Sequence, residues 1–282
     1  MSASRRIVLA TSIETPDVTA SDGLYADALR RRGCDVVGAP WDGPRAAFDG
    51  AVAVVIRSTW GYYRAPEAFR AWTEAMAAAT RLFNPIALVR WNLRKDYVDR
   101  LAAAGIRVPL TRIVPRDAAA IARVFAETGW TRAVVKPATG ASGHAVELVD
   151  RDGVAEALPR LAGDAVLVQE FLPEIAAGEV SLVYFDGVFS HAIRKRPPAG
   201  EFRVNSRYGA TRAAETPSPS VIAQGAAALR PLPEPPLYAR VDGVVRDDTL
   251  IVIEIEVLEP ALFLDFDPEA AERFAAATLA RL

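Results

Sequence analysis

The sequence predicts an α/β protein: a parallel α/β unit comes first, and an α+β part built on antiparallel hairpins follows. Three observations carry this. Short apolar runs alternate with helical patterns over residues 1–85. An Asp186-Gly187 turn separates two strand-like runs in EVSLVYFDGVFSHAIRK. The stretch LIVIEIEVLEP at 250–260 alternates Ile251, Ile253, Ile255 and Val257 with other residues at period two.

Taken in order, RIVLAT (6–11) is a buried strand. Asp22 caps a helix with Tyr25, Ala28 and Leu29 on one face, and Gly33 stops it. CDVVGAP and AVAVVIR are strands. Phe69, Trp72, Thr73, Met76 and Thr80 then mark a helix with Pro66 near its start. This unit is expected to span 1–85. Residues 92–104 predict a helix ended by Gly105. RAVVKP (132–137) and HAVELVD (144–150) are strands around a Gly-rich loop, and a helix at 152–162 leads to the strand AVLVQEF. The second unit is expected at 86–168 and the third at 169–282. A helix at 221–230 lies between the loops TPSPS and PLPEPPLY.

The 33 Lys+Arg residues nearly balance 35 Asp+Glu, so no global field attracts nucleic acid or an anionic membrane. The single Cys34 excludes an internal disulfide and a cysteine metal cluster. The apolar run near the N-terminus is too short for a signal peptide or a membrane span. A cytoplasmic protein is expected. Oligomeric state, homo-oligomer or monomer, stays open.

A two-residue turn at Asp186-Gly187 would pair Phe185 with Val188, Ser181 with Ala192 and Glu179 with Arg194. Val180, Leu182, Tyr184, Phe189, His191 and Ile193 would then share an apolar face, with His191 in the core. In the second hairpin, a three-residue turn at 247–249 would set Asp242 opposite Glu254 and Arg240 opposite Glu256, on one face. Three carboxylates beside one arginine either form a solvated edge or hold a hard cation such as Mg2+.

The loop after Lys136, with Gly140, Ser142 and Gly143, can cradle phosphate on its backbone N–H groups, or it is simply a hairpin loop. It is neither a Walker loop nor a dinucleotide fingerprint. His144 is expected at the surface. Arg57, Ser58 and Trp60 stand where a strand ends, the place where open α/β sheets bind ligands. The alternative is a structural strand end with Trp60 packed between units.

Together these residues resemble the ATP-grasp superfamily: Lys136 before its loop, VQEFLPEIAAGEVSLV, and Asp242 with EIE on two strands. RWNLRKDYVDRLAAAGIRVPLT resembles the segment carrying the first ATP lysine. RSTWGYYR, NPIALVRWN, GEVSLVYFDGVFSHAIRKRP, YARVDGV and IEIEVLEP resemble the glutathione-synthetase-like ligases, and among them the group containing the cycloserine-biosynthesis cyclo-ligase.

The resemblance implies an N-terminal α/β domain and two lobes clasping ATP. It implies ATP phosphates on Lys95 and Lys136, and adenine on Gln169, Glu170, Phe171 and Leu172. It implies ribose on Glu179, and two Mg2+ ions, with Mn2+ as a substitute, on Asp242, Glu254 and Glu256. Arg240, Arg194 and Arg203 would face the reacting centre. Many relatives have Asn where this chain has Glu256, and RVNSRYGAT differs from the group's usual stretch. The implied activity is an ATP-dependent ligase joining a small acid to an amine through an acyl-phosphate. A cyclo-ligase is the near alternative. A small-molecule kinase or an ATP-binding protein without ligase activity are the alternatives of another class.

Overall fold

The computed structural model describes residues 5–140 and 143–282. The first sheet is parallel. It takes β1 (Arg5–Thr11), β2 (Cys34–Pro40), β3 (Ala53–Ile56) and β4 (Arg81–Phe83) in the order β2-β1-β3-β4. Helices α1 (Ala20–Arg31) and α2 (Pro66–Ala79) connect its strands. The N-cap of α1 is Thr19, whose Oγ1 accepts from the Asp22 N–H at 3.1 Å. Asp22 is therefore not the cap. It lies in the first turn and is buried for another purpose. The C-terminal helix Ala270–Ala280 returns to cover this sheet, and Phe274 stacks on Tyr25 with ring centroids 3.9 Å apart.

The predicted helix at 92–104 is two helices, α3 (Ile86–Asn92) and α4 (Tyr97–Ala103). Between them the Lys95 N–H donates to the Ala138 carbonyl at 2.8 Å. That bond ties the break to the loop after β6 and turns Lys95 toward the centre of the molecule. The second sheet is antiparallel, ordered β5-β8-β6-β7. Its strands are β5 (Thr111–Pro115), β6 (Arg132–Pro137), β7 (Glu147–Asp150) and β8 (Ala165–Glu170), with α5 (Ala118–Thr128) packed on it. The boundary expected at 168 falls inside β8. The helix expected at 152–162 is only α6 (Val154–Ala157) between two 3-10 turns. Gly153 and Pro159 deny it regular length.

The third sheet has the order β11-β10-β9-β12-β13. Its strands are β9 (Glu179–Phe185), β10 (Val188–Arg196), β11 (Thr211–Glu215), β12 (Tyr238–Arg246) and β13 (Thr249–Glu256). Helix α7 (Pro219–Ala228), capped by Ser218, packs on it. The Asp186-Gly187 turn pairs Phe185 with Val188 as expected. A bulge at Ser190 then shifts the register by one, so Glu179 faces Lys195 rather than Arg194, and Ser181 faces Ile193. The predicted apolar face is corrected accordingly: Val180, Leu182 and Tyr184 share a side with Phe189, Ala192 and Arg194. His191 is buried all the same, and its Nε2 is 2.8 Å from the Leu262 carbonyl.

The second hairpin reaches the expected pairing by another route. Its turn has two residues, Asp247 and Asp248, both at positive φ. A bulge at Ile253 then restores Asp242 opposite Glu254 and Arg240 opposite Glu256. Gly243 is needed at this bulge, because a Cβ there would lie 2.4 Å from the Ile251 carbonyl oxygen.

Arg57 does not open into a ligand site. Its side chain is 1% exposed, and Nε donates to Asp22 at 2.9 Å. Nη2 donates to the Pro260 carbonyl at 2.7 Å, and the guanidinium lies over the Tyr238 ring. Ser58 is buried beside it, with its Oγ unpartnered among the described residues. The pair Arg57–Asp22 is structural. Removing one partner of a buried pair typically costs about 3–5 kcal/mol. We expect Asp22→Ala to lower the unfolding free energy by that amount in urea titrations. A loss under about 1 kcal/mol would show that Arg57 does not depend on this partner.

Candidate active site

A cleft of about 550 Å³ lies where the three sheets meet. Its floor is the face of β9, β10, β12 and β13 selected by the two bulges. Glu179, Lys195, Arg240, Asp242, Glu254 and Glu256 all line it. Arg240 grips Asp242 with its fork, Nε to Oδ1 at 2.9 Å and Nη2 to Oδ2 at 2.7 Å, and also reaches Glu256. Ser181 donates to Asp242 from the neighbouring strand. Lys195 pairs with Glu179 and lies 3.5 Å from Asp242. Lys95, brought in by the break before α4, pairs with Glu254.

These pairings split the carboxylates. Burial works against the charge of Asp242, but Arg240 and Lys195 hold its carboxyl well below the usual range. Glu254 is lowered too: burial opposes it, and Lys95 and Lys136 prevail. For Glu256 burial wins over Arg240, with Glu254 and Asp242 adding repulsion, and its carboxyl is pushed up to about 8. Among the described residues no three His, Cys, Asp or Glu side chains converge as a metal site on their own.

The roof comes from the second sheet. Lys136 on β6 is 7% exposed and makes no hydrogen bond or ion pair among the described residues. Burial, then the Lys95 charge, drives its ammonium down to about 8. Gln169, Glu170, Phe171 and Leu172 line the cleft where β8 ends. Gln169 Nε2 donates to Thr111 Oγ1 at 2.9 Å, and the Glu170 N–H donates to the Leu110 carbonyl at 2.9 Å. Gly140 and Gly143 line the same space. Gly143 has φ +67° and accepts a bond from Tyr208 Oη at 3.1 Å. Ser142 lies outside the described residues. His144 is exposed at the cleft mouth, its ring 5.2 Å from that of Tyr63.

Not every expected residue arrives. Trp60 lines the cleft, but Arg57 and Ser58 do not. Arg194 points to the other face of the sheet, where its fork holds Glu215 at 2.7 and 3.1 Å. Arg203 lines the cleft, yet Glu201 holds it at 3.0 and 2.8 Å and the Tyr208 ring stacks 3.8 Å beneath it. That pairing drives the Glu201 carboxyl down to about 2.

The structure adds residues the sequence reading missed. Lys195 replaces Arg194, and only the bulge decides between them. Tyr62 and Glu259 line the cleft, 4% and 7% exposed. Arg207 and Arg212, both exposed, complete its rim. Glu259 was visible next to the EIE pair, and its position after a strand end was the available signal.

Residues 7–84 match the family described as the N-terminal domain of D-cycloserine synthetase DcsG, and residues 102–231 match the prokaryotic glutathione synthetase ATP-grasp domain. The chain is 34% identical over 275 residues to the cycloserine biosynthesis protein DcsG of Streptomyces lavendulae, covering 91% of this chain and 92% of that protein. This chain belongs to the ATP-grasp ligases of the DcsG group. The crystal structure of D-cycloserine synthetase DcsG superposes with a TM-score of 0.88 at 31% identity, covering 98% of this chain and 99% of that one. D-Alanine–D-alanine ligase from Bacillus anthracis, complexed with ATP, shares the fold: TM-score 0.69, 14% identity, 98% and 96% covered. The ATP-grasp ligase described here is thus an ATP-binding enzyme, and the expected superfamily and fold class hold. Among its described residues no helix is long and apolar enough to cross a membrane.

The raised Glu256 carboxyl has a testable consequence. Its folded pKa lies above its unfolded value, so the folded state holds the extra proton between about pH 4.5 and 8. Its contribution to stability is full below that window and fades as pH rises through it. His191, whose pKa burial lowers, acts in the opposite sense below its ordinary value. A difference measurement removes it. We expect the melting temperature of Glu256→Gln to gain on wild type steadily from pH 5 to 8, without nucleotide. A difference that stays flat would mean Glu256 is charged throughout.

Proposed function

We propose a cytoplasmic, Mg2+-dependent ligase that activates the carboxylate of a small amino-acid-derived substrate and closes a C–N bond. The observation that carries this reading is Lys136: an unpaired, buried ammonium above a floor of carboxylates already balanced by their own cations. Such a charge fits the phosphates of the ATP that this family binds.

In this reading the units expected at 1–85, 86–168 and 169–282 act around one cleft, with the second boundary moved past the end of β8 at Glu170. Lys95 and Lys136 hold phosphates. Gln169 to Leu172 hold adenine, and Gly140 and Gly143 flank the phosphate chain. Glu179 holds ribose hydroxyls: burial raises its carboxyl pKa, and Lys195 pairs with it and opposes that rise. Asp242, Glu254 and Glu256 present hard oxygen donors on adjacent strands. They are too few to hold a metal alone, which fits Mg2+ held jointly with phosphate oxygens. When bound, the ion neutralises phosphate charge. Arg240 fixes the orientation of Asp242 and faces the reacting centre.

A substrate carboxylate oxygen attacks the γ-phosphorus, and the bond to ADP breaks. A nitrogen then attacks the acyl-phosphate carbon. Phosphate leaves with the proton the nitrogen loses. Arg203, Arg207 and Arg212 at the rim suit an anionic substrate end, with Arg203 exchanging Glu201 for it. Trp60 walls the acid side.

The similarity to DcsG over 91% of this chain favours the ring-closing form, with acid and nitrogen in one molecule. Mass spectrometry of turnover with O-ureido-serine alone tests it. Loss of one water with ADP release, with or without further loss of the carbamoyl group as carbon dioxide and ammonia, supports cyclisation. A product that needs a second amine supports the intermolecular ligase, and a stable phosphate ester would make it a kinase.

Two variants test the site. Glu254→Gln should lower kcat about 100-fold or more at saturating Mg2+, the usual cost of losing a charge-stabilising group at a transferring phosphoryl. A wild-type rate would remove the metal assignment. Lys136→Ala should weaken ATP binding far more than adenosine binding in calorimetry. Equal losses would move Lys136 away from phosphate.

A further inference from the structure

Two buried ammonium or carboxyl groups in the cleft have no partner side chain among the described residues. Lys136 is one, and the ligase reading uses it. The other is Glu259. Its residue is 7% exposed, it lines the cleft, and no other side chain among the described residues bonds or ion-pairs with it. Burial pushes its carboxyl up to about 7, with only its own backbone N–H and the more distant cations opposing. A buried carboxylate without a counter-charge is costly. The neighbouring cations are committed: Lys95 to Glu254, Lys195 to Glu179, Arg240 to Asp242 and Glu256.

Glu259 cannot relax away from the cleft, because its segment is gripped on both sides. The Val257 carbonyl accepts from Asn84 Nδ2 at 2.6 Å, and the Leu258 carbonyl accepts from Tyr238 Oη at 2.9 Å. The Pro260 carbonyl accepts from Arg57 at 2.7 Å, and the Ala261 carbonyl accepts from Arg240 at 3.0 Å. The Leu262 carbonyl faces His191 Nε2 at 2.8 Å. Five side chains from four parts of the fold therefore fix the backbone around one carboxylate.

Tyr62, from the N-terminal unit, is the second observation. It is 4% exposed and lines the same cleft, and its hydroxyl has no partner among the described residues. Burial raises its pKa well above the usual value, and of the charges acting on it Glu259 comes first. A neutral phenol oxygen and a carboxylate can together accept from one cation. A metal ion would need more oxygens than these two supply. An ammonium, with three N–H donors, needs no more.

We propose that Glu259 and Tyr62 form the subsite for the α-ammonium group of the amino acid whose carboxyl the enzyme activates. The rim arginines take the anionic end, so the cleft reads a zwitterion. The inference rests on the ligase reading and narrows its substrate class. Glu259 binds here; the bond changes occur at the neighbouring carboxyl.

The test is ADP release with Mg2+ and hydroxylamine as a trapping amine. The probes are serine and O-ureido-serine in both enantiomers, each beside its N-acetyl form. At least one free amino acid should drive turnover, and its N-acetyl form should not. Glu259→Gln should raise KM for that amino acid at least ~10-fold, the scale of a charge-assisted hydrogen bond, with kcat within about three-fold. Glu259→Asp should recover most of the loss, Tyr62→Phe should raise KM by a smaller factor, and calorimetric ATP affinity should stay within about two-fold in all three variants. Three outcomes overturn the proposal while leaving the ligase reading intact: N-acetyl forms working as well as free ones, Glu259→Gln lowering kcat at unchanged KM, or normal ATP binding with no response to any free amino acid. A wild type that does not bind ATP would remove the ligase reading and the proposal with it.

Discussion

Two single-residue bulges decide which side chains enter the cleft. In a strand the side-chain period is two, so one extra residue exchanges the faces of everything beyond it. At Ser190 the extra residue swaps Arg194 for Lys195 opposite Glu179. At Ile253 it brings Glu254 and Glu256 to the side of Asp242 and Arg240, where the two-residue turn alone would have turned them away. Each bulge is anchored. Ser190 Oγ accepts from Arg273 Nε at 3.0 Å, and Gly243 leaves room for the Ile251 carbonyl. Without these devices the same strands would carry the same residues and no charge cluster.

The cluster explains why adjacent carboxylates are tolerated in a buried strand. Each carboxylate of the floor has a cation from another strand or helix, and the pairs share partners: Lys195 reaches two carboxylates, Arg240 two others in part the same. Removing a cation of the floor leaves a buried carboxylate uncompensated, which is worse than never having built the pair. Glu256, raised to about 8 and sharing Arg240 with Asp242, is the member whose loss costs least. The arrangement is thus rigid in charge as well as in shape. Behind the exposed rim arginines, what remains buried without a partner side chain is one ammonium above and one carboxyl at the side. A site with one buried ammonium and one buried carboxyl left unmatched suits a ligand set that brings both counter-charges: polyphosphate and an ammonium.

Much of this was legible in the sequence. The parallel unit followed from alternating elements. The third sheet followed from Asp186-Gly187 and from the isoleucine-carboxylate alternation, and these supported the pairing of Asp242 with Glu254. Lys136, Gly140, Gly143 and the Gln169–Leu172 stretch all reach the cleft as expected. The failures share a cause. Alternation cannot locate a bulge, so Arg194 was read into the site and Lys195 out of it. Helical spacing ran through 92–104 because the bond from Lys95 to Ala138 that breaks it is tertiary. The strand α5 packs upon was overlooked because TRIVP is short, although Asp117 before Ile121, Val124 and Phe125 is a readable helix start. An arginine at a strand end fits a substrate site as readily as a structural strand end, because no sequence pattern announces a partner as distant as Asp22.

Arg57 still reaches the cleft, by a longer route. Its guanidinium holds the Pro260 carbonyl, one residue beyond Glu259, while Asp22 and the Tyr238 ring hold the guanidinium. Tyr238 in turn bonds the carbonyls of Ile56 and Leu258, at 2.7 and 2.9 Å. The N-terminal sheet and the third sheet are therefore joined through the same few atoms that set Glu259. A hydrogen bond to a guanidinium is stronger and more directional than one to a neutral donor, and here it is spent on backbone placement rather than on substrate. That choice is consistent with a small substrate. A small molecule offers few contacts, so recognition depends on a carboxylate held still, and holding it still takes buried polar groups from every unit that meets at the cleft.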